Sequence, residues 1–248
     1  MILKVYNLKK YFKEVRAVDN VSFTIDSNEV VGIVGPNGAG KTTLINLISG
    51  FLLPDDGRIE YLGHDITYLP PHIRLKMGIA RSFQIVNLFE RISVIDNVII
   101  SIFSSRGMTR NMLKPADFYT YVKEEAIKIL EIFGLSHKKD YMPDELSEGE
   151  RKLLDIAIAY ATNPRLILMD EPTSGVATKD KFRIMDIIIN AIRANKLSAV
   201  IVEHDLDIIS SYVDSVLVLN EGRILARGKP NEVLEDPLVK KTLFGISR

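Results

Sequence analysis

The run Gly35-Pro36-Asn37-Gly38-Ala39-Gly40-Lys41-Thr42 narrows the choice of fold more than any other stretch of this sequence. It follows Val30-Val31-Gly32-Ile33-Val34, a continuous apolar segment of strand length, and precedes Thr43-Leu44-Ile45-Asn46-Leu47-Ile48-Ser49, whose spacing suits a helix closed by Gly50. A strand that feeds a glycine-rich turn opening into a helix forms a cradle for phosphate. The glycines let backbone N–H groups turn inward, and the helix N-terminus adds positive potential. In this pattern a lysine reaches the β and γ phosphates and the next hydroxyl ligates Mg²⁺. The expected ligand is therefore a nucleoside triphosphate, held by Gly35, Pro36, Asn37, Gly38, Ala39, Gly40, Lys41, Thr42 and Thr43.

With 248 residues, 46% of them hydrophobic, the chain can bury a large core. The 32 basic and 32 acidic residues cancel and form no block, which argues against a nucleic-acid partner. The absence of cysteine excludes disulfides and thiolate metal sites. Met1-Ile2-Leu3-Lys4-Val5 lacks the charged-then-apolar pattern of a signal peptide, so the cytoplasm is the expected compartment. The apolar stretch from Val94 to Phe103 contains Asp96 and Asn97 and is too short to cross a bilayer, so a membrane role would run through partners.

Ile2 to Leu8 and Val21 to Ile25 read as strands bridged around Tyr11-Phe12-Lys13-Glu14. Further short apolar runs, Leu166 to Met169, Ala199 to Val202 and Val216 to Leu219, alternate with helical patterns such as Lys181 to Arg193. That alternation predicts a layered α/β core. Between Asn87 and Tyr160 the spacing is helical, notably over Phe118 to Phe133, and Ser104 to Lys114 reads as a polar loop. One domain is expected, with residues 1–86 and 161–248 as the nucleotide-binding core and 87–160 as an inserted helical subdomain.

Leu166-Ile167-Leu168-Met169-Asp170-Glu171 is a buried strand ending in two carboxylates. At that position Asp170 suits Mg²⁺, usually through water, and Glu171 suits the orientation of an attacking water. A carboxylate directly after the metal aspartate favours hydrolysis over transfer to another acceptor. No [NT]-K-x-D pattern for guanine occurs, which disfavours a GTPase.

Leu146-Ser147-Glu148-Gly149-Glu150 precedes another helical pattern, Arg151 to Ala161. Together with the phosphate loop, Gln84, Asp170-Glu171 and His204, in that order along essentially the whole chain, it resembles an ATP-binding cassette (ABC) ATPase. The resemblance implies a P-loop fold with a mixed-sheet, RecA-like core, antiparallel N-terminal strands and the inserted helices. It implies ATP and Mg²⁺ as ligands. Phe12, with neighbouring Tyr11, matches the aromatic that stacks on adenine. Gln84 matches a residue that senses Mg²⁺ and water, so that Thr42, Gln84 and Asp170 form the metal set. Lys41, Gln84, Glu171 and His204 are the expected catalytic group, with His204 touching the γ-phosphate. Ser147 and Gly149 match the signature motif that completes the site of an opposite protomer.

Three positions depart from that pattern: Glu148 replaces the first signature glycine, Ile158 an arginine, and Ala177 an aspartate. Glu148 is expected to point outward, because a carboxylate aimed at a triphosphate is repelled. Ala80 to Phe89, Ser93 to Val98, Glu171 to Ala177, Glu203-His204 and the stretch from Gly228-Lys229-Pro230 to Leu243-Phe244-Gly245 resemble ATPases of importers for branched-chain and other hydrophobic amino acids. Lipopolysaccharide-export and urea-import ATPases share much of that pattern, and an iron-sulfur assembly ATPase is the nearest soluble alternative. The importer resemblance implies two membrane-embedded permease subunits, a second cassette (identical or related) and an extracytoplasmic solute-binding protein. It places the chain peripherally on the inner face of the membrane.

Overall fold

The computed structural model describes residues 1–82, 88–107 and 116–244. It opens with a long hairpin, β1 (Leu3–Phe12) and β2 (Val15–Ile25), followed by β3 (Val30–Val34) and α1 (Lys41–Ser49). Next come β4 (Asp56–Tyr61), β5 (His64–Asp65), α2 (Pro71–Met77) and β6 (Ile79–Arg81). Helices α3 (Val94–Ser105), α4 (Ala116–Ile132) and α5 (Glu148–Ala161) lie between β6 and β7 (Leu166–Asp170). The chain then alternates through α6 (Thr178–Ala194), β8 (Ser198–Val202), α7 (Leu206–Tyr212) and β9 (Ser215–Asn220). It continues with β10 (Arg223–Gly228), α8 (Pro230–Val233) and α9 (Pro237–Phe244).

Among the described residues the strands form two sheets. One is four-stranded and antiparallel in the order β2-β1-β4-β5; the other is six-stranded in the order β10-β9-β3-β8-β7-β6. In the second, β9, β3, β8, β7 and β6 are parallel neighbours and β10 is antiparallel to β9. The continuous apolar runs are its central strands, because a parallel strand covered on both faces has no polar face to show. Every residue of β3, β7 and β8 is buried.

Side chains alternate across this sheet and build two cores. Val31, Ile33, Leu166, Leu168, Val200 and Val202 pack with α1 and the antiparallel sheet. Val30, Val34, Ile167, Met169, Ala199 and Ile201 pack with α3 to α6 on the other face. Each fully buried aliphatic side chain contributes roughly 1.5–3 kcal/mol. The strand ends that carry the site residues therefore stand on the most firmly held part of the molecule. Helix α6 shows the spacing that seats it: Ile184, Met185, Ile188, Ile189 and Ile192 are buried along one stripe.

Two expectations need correction. Tyr11 and Phe12 do not bridge two short strands; they are the last residues of β1, and the hairpin turns at Lys13-Glu14. Pairing of β1 with β2 shifts register between Val5 and Leu8 and again before Lys10 and Tyr11, and Asn7 and Asn20 have φ of 44° and 58°. These bulges break the period of two that would have marked the full strand lengths. In the loop expected over Ser104 to Lys114, Ser104 and Ser105 instead end α3, Arg106-Gly107 form a turn, and 108–114 lie outside the described residues.

Candidate nucleotide site

Because β3, β7 and β8 are parallel neighbours, the residues that follow each of them emerge at one edge of the sheet. There Phe12, Ala17, Asn37, Gly38, Ala39, Gly40, Lys41, Thr42, Thr43, Glu171 and His204 line one cleft of about 390 Å³. Residues far apart in the chain, from both sheets, thus converge there. Gln84 lies outside the described residues.

The loop is shaped by close backbone approach. A Cβ on Gly35 would sit 2.2 Å from the Leu219 carbonyl oxygen, and one on Gly40, where φ is 102°, would sit 2.1 Å from that of Ala17. No other residue type fits either position. Gly40 caps α1 without a side chain, so the first N–H groups of the helix remain available to an anion. Lys41 is buried, its ammonium donating to the carbonyls of Gly35 at 2.7 Å and Pro36 at 3.1 Å. Burial lowers its pKa, against the pull of Glu171 and Asp170.

Asp170, the last residue of β7, is 1% exposed. Its Oδ2 accepts from the Arg81 guanidinium at 3.4 Å, and its Oδ1 is buried with no hydrogen-bond partner among the described residues. Burial, followed by the neighbouring Glu171 carboxylate, pushes its pKa up; Arg81 and the Thr42 hydroxyl oppose that rise without cancelling it. An orphaned carboxylate oxygen beside a hydroxyl is the donor set a hard divalent cation takes. No group of three or more His, Asp or Glu side chains converges to hold a metal among the described residues. A cation here would need phosphate oxygens and water to complete its shell, as Mg²⁺ does with triphosphates.

Glu171 has φ of +53°, unusual for a residue with a Cβ, and its N–H donates to the Val202 carbonyl at 2.9 Å. Its Oε1 lies 2.9 Å from Nε2 of His204. A carboxylate and an imidazole in contact, both on the wall of the cleft, can accept and orient the protons of a water molecule.

Phe12 and Tyr11 separate cleanly, since consecutive strand residues point to opposite faces. Phe12 is 45% exposed and lines the cleft. Tyr11 faces away from it: its hydroxyl donates to Asp19 Oδ1 at 2.8 Å, and the Arg16 guanidinium lies over its ring. Asp19 in turn accepts from Arg223 at 2.7 Å and 3.0 Å, which fastens the hairpin to β10. The structure therefore does not bring Tyr11 to the phosphate loop.

Ser147 and Gly149 are not in this cleft. Ser147 caps α5, accepting from the Glu150 N–H, while Glu150 Oε2 accepts from the Ser147 N–H at 2.9 Å. A Cβ on Gly149 would meet Ile184 Cδ1 at 2.6 Å, so that glycine lets α5 lie against α6. Glu148 is exposed, as expected, and its stem covers Gly175.

A family model described as ABC transporter matches residues 18–174. The chain belongs to the ABC transporter family. As such a cassette it binds ATP and hydrolyses it to drive transport. It is 38% identical to a probable branched-chain amino acid transport ATP-binding protein, LivG, of Methanocaldococcus jannaschii, the match spanning 98% of this chain and 97% of that protein. It is 35% identical to the lipopolysaccharide export ATP-binding protein LptB of Haemophilus influenzae, over 98% and 97% of the two chains. The solved ATP-binding cassette MJ1267 of an ABC transporter superimposes with a TM-score of 0.86 at 36% identity, covering 99% of each chain. No helix among the described residues of the cassette is long and apolar enough to cross a membrane.

Two residues of the cassette's site went unread in the sequence. Arg81 holds Asp170 and also reaches Asn46 on α1, with the Phe51 ring 5.5 Å away. Lys181 on α6 bonds Asp205, the cap of α7, at 3.0 Å beside His204. Both are contacts between separate elements, and only the parallel register of β6 on β7, with Arg81 opposite Leu168, could have pointed to the first.

Proposed function

We propose that this cassette powers an importer of branched-chain or other hydrophobic amino acids. The observation that carries the reading is its 38% identity to a LivG protein over nearly the full length of both chains. The 35% identity to LptB supports a second reading, lipopolysaccharide export. In the first reading two cassettes, identical or related, close head to tail over two ATP molecules and reopen after hydrolysis. Two permease subunits take up that motion through the segment containing Gln84, while a solute-binding protein delivers substrate outside. The cassette lies peripherally on the inner face of the membrane. Residues 87–160 act as the inserted helical subdomain, and residues 1–86 with 161–248 as the nucleotide-binding core.

The cleft supports a definite division of labour. Phe12 stacks on adenine, the N–H groups of residues 38–43 hold phosphate oxygens, and Lys41 turns from the Gly35 and Pro36 carbonyls to the β and γ phosphates. Thr42, Asp170 and Gln84 would hold Mg²⁺, which would supply charge neutralisation to the triphosphate. Glu171 orients the attacking water and His204 donates to the γ-phosphate, so that rate comes from placement and charge rather than covalent chemistry. Ser147 and Gly149, being outside the cleft, serve the site of the second cassette.

The deciding experiment is a pull-down of the tagged chain from its own membranes in mild detergent, with partners identified by mass spectrometry. Co-purified permeases, a second cassette and an amino-acid-binding protein are expected; lipopolysaccharide-export components would favour the second reading, and soluble partners alone would refute transport. For the residue roles, Glu171→Gln is expected to bind ATP but turn over roughly a hundredfold more slowly. Unchanged turnover would remove Glu171 from its role.

A further inference from the structure

The carboxylate of Glu203, next to His204, takes no part in the chemistry described so far, yet it is only 4% exposed. Its Oε1 accepts from the Thr173 N–H at 2.9 Å and the Thr173 hydroxyl at 2.7 Å, and its Oε2 from the His204 N–H at 3.2 Å. Those donors are neutral, and no ion pair to Glu203 occurs among the described residues. A buried carboxylate held by neutral dipoles is tolerated only where several donors are fixed on it. Here they come from two different segments. Thr173 lies in the turn leaving β7, where the Ser174 N–H bonds the Glu171 carbonyl at 3.1 Å, and His204 follows β8.

The geometry between those segments is demanding. Glu171 sits at a positive φ, a conformation that persists only when its surroundings over-determine it. Upstream, its N–H is pinned to Val202; downstream, Glu203 grips Thr173. The same carboxylate fixes the backbone of His204, whose ring meets Glu171. We infer that Glu203 is a positioning residue for ATP hydrolysis: its buried carboxylate clamps the turn after β7 to the backbone after β8, and so sets Glu171 and His204 at their working separation. The inference rests on the roles proposed above for Glu171 and His204. It also gives the Thr173–Ala177 segment a direct mechanical link to His204.

Glu203→Gln keeps the volume but places an amide NH₂ against one of the two N–H donors, whichever way the amide faces. Misplacement of a catalytic group by about an ångström costs on the order of a hundredfold in rate, so a loss in kcat of at least about tenfold is expected. KM for ATP should stay within about threefold, because the clamp touches neither phosphate loop nor Phe12. Thr173→Val should show a smaller loss of the same kind, while Thr173→Ser, which keeps the hydroxyl, should match the parent.

These constants are measured on the cassette with the membrane partners that accompany it, beside ATP binding and thermal unfolding. If Glu203→Gln leaves kcat unchanged while Glu171→Gln is impaired, the inference is overturned and the site reading stands. Equal losses of ATP binding, stability and turnover, with serine no better than valine at 173, would reduce Glu203 to a structural role and also overturn it. If Glu171→Gln itself turns over normally, the site reading fails and takes this inference with it. Should the Glu203→Gln variant not fold, the Thr173 pair carries the same test.

Discussion

Arg74 is the sharpest test of how the phosphate-loop helix is held. The side chain is 0% exposed and donates to four carbonyls: Leu47 at 2.6 Å and Ile48 at 2.8 Å in the last turn of α1, Leu69 at 2.8 Å, and Thr67 at 2.9 Å. Burial pulls its pKa down to about 10, with Asp65 acting weakly against the fall, so it is charged at neutral pH. Arg74→Met keeps an apolar stem and removes every donor. The Leu47 carbonyl keeps the Gly50 N–H at 3.3 Å, so three carbonyls are left dry; at roughly 1 kcal/mol each, they lower stability by about 3 kcal/mol. For a domain of this size roughly 2–4 °C is lost per kcal/mol, which gives a fall in Tm of about 6–12 °C. Thermal unfolding followed by circular dichroism reads it directly. Gly50→Ala probes the same contact from the other side: its Cβ would come within 2.8 Å of Arg74 Nε, at a φ of 83°. A fall of less than about 3 °C for Arg74→Met would refute the reasoning, since it would mean that water or neighbouring N–H groups satisfy those carbonyls without the arginine.

Phe12→Ala should weaken ATP binding about tenfold by removing a ring worth roughly 1–3 kcal/mol in stacking, whereas Tyr11→Phe should leave it unchanged; fluorescent-nucleotide titration separates the two. Lys181→Met tests the anchor beside His204. Burial alone would raise the pKa of Asp205, but the Lys181 hydrogen bond and the Ile208 N–H outweigh it and hold the carboxyl below its ordinary 3.8. A folded-state pKa that is depressed contributes stability above the unfolded value and loses it as the pH falls through the folded one. The variant should therefore be less stable by up to about 1 kcal/mol at pH 7, and urea curves of the two proteins should converge as the pH falls through the depressed folded-state pKa of Asp205. Glu148→Gly should tighten ATP-driven pairing of cassettes, seen by light scattering, while costing α5 about 0.5–1 kcal/mol in helix propensity and dipole interaction.

The legible part of this molecule is the part written in local backbone terms. β3, β7 and β8 carry continuous apolar runs because both faces are covered, and Gly35 and Gly40 of the phosphate loop are dictated by carbonyls barely 2 Å from where a Cβ would be. Both signals survive in the sequence without any partner. The lengths of β1 and β2 do not, since residues with positive φ interrupt the alternation that would reveal them. The choice between Phe12 and Tyr11 is likewise invisible locally: which ring faces the cleft depends on the phase of a bulged strand, and only the bond to Asp19, itself tied to Arg223 across the molecule, settles it.

The same distinction separates the candidate site residues from their supports. Asp170, Glu171 and His204 sit at strand ends, where sequence position alone places a side chain at the edge of the sheet. Arg81, Glu203 and Lys181 act on them from other segments, through contacts that exist only once β6, β7 and β8 are in register and α6 is docked. The two buried charges among these supports follow one logic. Arg81 offsets part of the rise that burial imposes on the Asp170 pKa, while Oδ1 stays buried with no hydrogen-bond partner among the described residues. Glu203 is satisfied by backbone and hydroxyl donors, so its charge is spent on holding loops rather than on neutralising a neighbour. The placement of the candidate site groups thus depends on polar residues that the motifs themselves do not include.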